Sequence, residues 1–271
     1  MALSWLCSFG SPMMKCKRTL TLSALLGVTL ALAVPTRAAA FLPSVSGWFE
    51  MSGGSARFID EYGAFQDNQN YFVGGIDGQE YRNFFVFDLA GVNSPITDAT
   101  LNLYNPSWET DDDDGFYGDA TETFQLTSTT ASVGQLAAIY TPNSTSGQAV
   151  FDTLGTGMTI GSLVASAADN GRTLSMTFNA AGLTYLNAHL GQRVALGGRL
   201  TTLSGTNDQF LFAYTNPNGG SPYLPMTPQV SLTVNQNVIV SAPEGSTMAL
   251  LAPVLLGIGG MGVLKRRKRA E

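Results

Sequence analysis

Between Phe41 and Val240, apolar residues recur at every second position in short runs broken by glycine, asparagine and proline. In TDATLNLYN, Ala99, Leu101 and Leu103 alternate with Thr100, Asn102 and Tyr104. TETFQLTST puts Phe124 and Leu126 on one face, DQFLFAYT aligns Phe210, Phe212 and Tyr214, and PQVSLTVNQNVIV aligns Val230, Leu232 and Val234. A period of two is that of strands with one buried face in an antiparallel sheet. YRNFFVFDL is apolar on both faces, with Phe85, Phe87 and Leu89 on one and Phe84 and Val86 on the other. That pattern predicts a central strand covered on both sides.

The punctuation fits strands. Asp77-Gly78 precedes the aromatic run, and Asn170-Gly171 predicts a hairpin because both residues tolerate positive φ. Gly197-Gly198 is expected to make a bulge or bend. NAAGLTYLNAHLG predicts a helix with Asn179 as N-cap, Gly191 as C-cap and Leu183, Leu186 and Leu190 on one face. A second short helix is expected around Gln135 to Ile139. The expected fold is therefore all-β, an antiparallel β-sandwich of jelly-roll type with one or two short helices.

Both ends depart from this pattern. Lys15, Lys17 and Arg18 are followed by the apolar run Leu20 to Val34 and by the small residues Ala38-Ala39-Ala40. This is the order of an export leader, so residues 1–40 are expected to form a signal-peptide helix cut after Ala40, with Ala38 and Ala40 as the residues read and Phe41 as the mature start. Met13 or Met14 is an alternative start. Residues 41–240 are then the exported domain. At the other end, Met248 to Leu264 is a 17-residue apolar run containing Pro253 and four glycines, followed by Lys265, Arg266, Arg267, Lys268 and Arg269. As a helix it spans about 25 Å, at the short end for a bilayer. The basic cluster is a stop-transfer signal that holds this end in the cytoplasm.

Cysteine and charge narrow the chemistry. Cys7 and Cys16 both lie in the leader, so the exported domain has neither disulfide nor thiolate. Between Phe41 and Ala242 five arginines face 18 acidic residues, a net charge of −13. That balance opposes nucleic acid and anionic lipid as partners and suits divalent cations or neutral polysaccharide.

Two candidate sites follow. Glu109, Asp111, Asp112, Asp113, Asp114 and Asp119 crowd one loop, and hard oxygen ligands of this kind can hold Ca²⁺. The spacing does not fit an EF-hand, and a solvated turn is the commoner meaning of such a run. Trp108 and Tyr117 flank the loop and are candidates for stacking on sugar rings; Trp48, Tyr104 and Tyr223 are further aromatics of that kind. Aromatics covering sandwich edges are the competing reading. The single histidine, His189, lies at the margin of a helical leucine face and is expected to pack there. No nucleophile motif accompanies it, so no catalytic residue is assigned. LPMTP, Leu224 to Pro228, lacks the glycine of a sortase signal and is read as a proline-rich turn.

Two resemblances add to this reading. Arg82, Phe87, Asp88 and Leu89, followed by Ala99, Leu101 and Leu103, resemble the opening of the exported β-sandwich domains called DNRLRE-type, over roughly a quarter of the domain. Some of those relatives bind carbohydrate. Residues 241–271 resemble the PEP-CTERM sorting signal of Gram-negative, exopolysaccharide-producing bacteria: a motif at 242–247, an apolar span at 248–264 and a basic tail at 265–269. Pro243, Glu244, Ser246 and Thr247 match the motif, and Gly245 stands where the family has a second proline. The resemblance implies an exosortase as processing partner, a transient stay in the inner membrane through 248–264, and delivery to the cell surface or extracellular matrix. The expected function is a non-catalytic exported surface protein associated with exopolysaccharide. The alternative is a carbohydrate-binding module with or without calcium, and a secreted hydrolase is the least favoured class.

Overall fold

The structure, a computed structural model, describes residues 36–59, 71–107, 115–204, 208–212 and 230–237. Two compact units divide the chain, Met1–Ala33 and Val34–Glu271, and every described residue belongs to the second. Its strands are β1 (Thr36–Phe41), β2 (Pro43–Glu50), β3 (Ser55–Ile59), β4 (Val73–Ile76), β5 (Gln79–Asp88), β6 (Ile96–Asn105), β7 (Phe116–Tyr117), β8 (Glu122–Ser128), β9 (Thr159–Ala165), β10 (Arg172–Thr177), β11 (Arg193–Leu200), β12 (Gln209–Leu211) and β13 (Val230–Asn237). The helices are α1 (Val133–Leu136), α2 (Thr145–Thr153) and α3 (Ala180–Ala188), with a 3-10 turn at Ala167–Asp169.

The strands form an all-β antiparallel sandwich. The smaller sheet has the order β1-β13-β6-β10; the larger runs β7-β12-β4-β5-β11-β8-β9, with β2 beside β5 and β3 beside β2. Alternation builds the main core. Leu101 and Leu103 of β6 and Leu232 and Val234 of β13 meet Phe85, Phe87, Phe124, Leu126 and Leu196 of the larger sheet. A second cluster joins Phe49, Phe84 and Val86 to Leu136, Val150, Phe151 and Leu154 of the α1–α2 region. The two-sided apolar pattern of β5 is thus used in full: one face meets the main core and the other meets the α1–α2 cluster.

Local chemistry fixes the helices. Ser132 and Gln135 form a reciprocal capping box on α1. The Ser144 hydroxyl accepts from Gly147 N at the start of α2, and Asn179 Oδ1 accepts from Gly182 N at the start of α3. Arg82 clamps α2: its guanidinium lies 4.1 Å from the centre of the Phe151 ring, Nη1 donates to the Phe151 carbonyl at 3.2 Å, and Nε pairs with Glu80 at 2.7 Å.

Several local expectations change. Asn170-Gly171 is not a hairpin but a passage between sheets, since β9 pairs with β8 and β10 pairs with β6. The Asn170 carboxamide oxygen accepts from Asn105 Nδ2 and from Phe116 N, so the side chain ties the crossover to two strands. Gly197 and Gly198 lie in unbroken register with both neighbours of β11 rather than at a bulge. They admit close packing: a β-carbon on Gly198 would overlap Asn83 Oδ1 and crowd the Phe124 ring. α3 ends at Ala188 with His189 as its C-cap, at φ −116°, and Gly191, at φ +72°, lies in the turn beyond. There are three short α-helices among the described residues instead of one or two; α2 was not expected.

Ala38 and Ala40, expected to precede the mature start, lie within β1. No helix among the described residues is long and apolar enough to cross a membrane. The apolar runs Leu20 to Val34 and Met248 to Leu264 lie outside those residues.

Candidate aromatic binding site

Five aromatic rings form one row whose order follows the order of the strands. Trp48 of β2 meets Tyr81 of β5 edge-on at 5.2 Å, and Tyr81 meets Phe72, just before β4, at 5.0 Å. Phe72 meets Phe210 of β12 at 5.4 Å, and Phe210 stacks with Tyr117 of β7 at 5.4 Å with 19° between planes. Each step is close to the spacing of neighbouring strands, about 4.8 Å. The row is thus the side-chain image of the strand order β2-β5-β4-β12-β7.

Two backbone features place the rings. Asp77 and Gly78, at φ 51° and 76°, make a two-residue hairpin between β4 and β5, with Ile76 opposite Gln79 and Gly74 opposite Tyr81. Gly74 itself has φ +144° and lies opposite Phe210. A β-carbon there would overlap the Gln209 carbonyl oxygen and come 2.6 Å from the Phe210 α-carbon. Glycine at 74 therefore lets β12 close on β4 and bring Phe210 over Phe72.

Leu211 and Phe116, next in sequence to Phe210 and Tyr117, are buried in the main core. Strand alternation places Phe210 and Tyr117 on the opposite side, where Tyr117 is 58 % exposed. Phe72 is 6 % exposed and anchors the middle. Trp48, Tyr81 and Phe210 are partly exposed. The result is a ridge with a buried centre and accessible ends.

Two carboxylates, Glu50 and Asp77, act on the middle of the row. Burial, then the Glu50 and Asp77 carboxylates, push the Tyr81 phenol above its ordinary pKa, so it stays a neutral donor. Asp77 N donates to Asp208 Oδ1 at 3.0 Å.

Near the Tyr117 end, a buried polar network braces the strands. Glu122 is fully buried and accepts from the Thr202 hydroxyl and from Gln209 Nε2 at 3.0 Å. The same Nε2 donates to Asp119 Oδ2 at 2.9 Å, and Gln209 Oε1 accepts from Ser204 N at 2.6 Å. One amide thus serves two carboxylates and fixes β12 against β8.

The structure sorts the sequence candidates. Trp48 and Tyr117 are the two ends of the row. Tyr104 is on β6 of the smaller sheet, where its carbonyl accepts from the Tyr71 hydroxyl at 2.7 Å, and it takes no part in the row. Asp119 is held by Gln209. Trp108, Glu109, Asp111, Asp112, Asp113, Asp114 and Tyr223 lie outside the described residues, as do the sorting motif Pro243, Glu244, Gly245, Ser246 and Thr247 and the basic cluster Lys265–Arg269. No group of three metal-ligating side chains occurs among the described residues. His189 lies 4.5 Å from the Tyr185 ring, centre to centre, with Nδ1 at 2.8 Å from the Tyr185 carbonyl.

Phe72, Tyr81 and Phe210 are site residues that sequence reasoning missed. Tyr81 and Phe210 lie in predicted strands, and nothing in their spacing marks them as neighbours. No family model matches the chain, and no curated protein does.

Proposed function

We propose that the chain is a non-catalytic exported surface or matrix protein whose sandwich holds neutral polysaccharide along the Trp48–Tyr117 row. The single observation carrying this reading is the row itself: five rings in contact across five strands, open at Tyr117. Exposed aromatic faces fit the apolar faces of pyranose rings, and carboxylates at the margin accept from sugar hydroxyls. Arg82 is engaged by Glu80 and Phe151, which leaves the margin without that cation for an anionic chain. The net charge of −13 over residues 41–242 also favours an uncharged ligand.

Delivery rests on the tail. Pro243, Glu244, Ser246 and Thr247, the span 248–264 and the basic cluster 265–269 support recognition by an exosortase, with the inner membrane as a way-station and the cell surface or exopolysaccharide matrix as destination.

Affinity electrophoresis in gels containing neutral or acidic polysaccharide tests the binding reading. Wild-type protein is expected to be slowed by a neutral glycan, and Tyr117→Ala to migrate freely with an unchanged melting midpoint. Equal migration of wild type in glycan-containing and empty gels would sink it. Repeating the gel in a chelator distinguishes a calcium-dependent site, which would make the acidic loop part of it. For sorting, Glu244→Ala is expected to leave the tail uncut and the protein in the inner membrane; normal processing of that variant counts against the exosortase reading.

A further inference from the structure

β1 is the outer strand of the smaller sheet and lies against β13 along its whole length, from Thr36 opposite Asn237 to Phe41 opposite Leu232. Only Leu42 separates it from β2, so the chain passes directly from one sheet to the other. Ala39 and Phe41 pack on the main core, while Arg37, Ala38 and Ala40 face solvent.

A leader cut after Ala40 would remove all of this strand but Phe41. β13 would then become the edge. Its sequence, VSLTVNQN, contains no charge and no proline, and Val230, Leu232 and Val234 alternate toward the core. A long uncharged edge strand is a template for pairing with other chains. With β1 in place the edge is six residues long and carries an exposed arginine, the kind of edge that discourages such pairing.

The sequence contains a second small-x-small triplet seven residues earlier, Ala31-Leu32-Ala33. It closes an apolar run that begins at Leu20, and a run of 13 residues to Leu32 fits the apolar region of a leader, about 7–15 residues. We infer that the export peptidase reads Ala31 and Ala33 and cuts the Ala33–Val34 bond, and that Thr36–Phe41 stays in the mature domain as its edge strand. The step is a hydrolysis: water adds across one peptide bond, leaving a carboxylate on Ala33 and a free amine on Val34. It rests on the reading of the N-terminal region as an export leader.

The test is the N-terminus of the full chain exported from a Gram-negative host, read by N-terminal sequencing and intact mass. Wild type and Ala40→Leu are expected to begin at Val34, and Ala33→Leu to remain uncut or to shift its cut. A wild-type N-terminus at Phe41, with cutting lost in Ala40→Leu, overturns the inference and leaves the leader reading standing. A leader still attached in wild type overturns both.

Discussion

The carboxamide of Asn105 donates to Asn170 Oδ1 at 2.8 Å, joining the end of β6 to the turn that carries the chain back to β10. Asn105 is fully buried, and its own Oδ1 accepts from Phe212 N at 3.1 Å. One side chain thus ties together the crossover turn, the smaller sheet and the end of β12. Replacing it by alanine strands a buried amide and opens a void. Asn105→Ala is expected to cost about 2–3 kcal/mol, read as a lower denaturation midpoint. Asn105→Asp keeps the acceptor for Phe212 but loses the donor to Asn170, and should also destabilise.

The aromatic row separates binding from stability. Tyr117 is largely exposed, so Tyr117→Ala should change stability by no more than about 0.5 kcal/mol while removing glycan retention. Phe72 is buried between Tyr81 and Phe210, and Phe72→Ala should cost about 3 kcal/mol. Urea unfolding of the two variants beside the affinity gel checks the split. Equal destabilisation by both would mean that the row is only packing.

Gly74 controls how closely β12 approaches. Gly74→Ala places a methyl group against the Gln209 carbonyl and demands a φ that alanine rarely adopts. A loss of about 1–3 kcal/mol is expected, together with weaker glycan retention, because Phe210 and Tyr117 ride on the displaced strand. Retention unchanged in a destabilised Gly74→Ala would show that the Trp48–Tyr81 end suffices.

Arg82→Lys tests the clamp on α2. Lysine keeps the charge but cannot lay a planar guanidinium on Phe151 while also reaching Glu80 and the Phe151 carbonyl. A loss of about 1–2 kcal/mol is expected. Hydrogen exchange should quicken in Thr145–Thr153 before it does in the strands.

Alkaline stability should reflect two tyrosines. Burial raises Tyr81, with Glu50 and Asp77 adding to it, and burial raises Tyr185, whose hydroxyl donates to the Ala195 carbonyl at 3.0 Å. A phenol whose pKa is higher in the fold binds its proton more tightly there than in the unfolded chain. Its contribution is therefore complete below the unfolded value, about 10, and is lost as pH rises through the folded one. Melting midpoints should fall above pH 10, and the Tyr81→Phe, Tyr185→Phe double variant should lose less over the same interval.

The strands were legible because burial on one face writes a period of two into the chain, as in Ala99, Leu101 and Leu103. β5 was legible as a covered strand because Phe84 and Val86 leave no polar face. The partner of each strand was not. Asn170-Gly171 reports a backbone that can adopt positive φ, and hairpins and sheet crossovers share that need. α2 was missed because it depends on a contact far away: a β-carbon on Gly147 would overlap the Gly53 carbonyl, so this helix is shaped by the turn after β2. The row is illegible in the sequence for the same reason. Phe72 and Phe210 are neighbours only because β12 returns beside β4, and no local period records that.

β13 lies between β1 and β6, so the last of the described strands to leave the ribosome is an interior strand of the smaller sheet. Until it arrives, among the described strands β1 has no neighbour in that sheet and β6 has only β10. The domain is therefore dominated by contacts distant in sequence, the condition for slow folding. A sheet that cannot close until its final described strand is present leaves β1 and β6 apart until that strand is made.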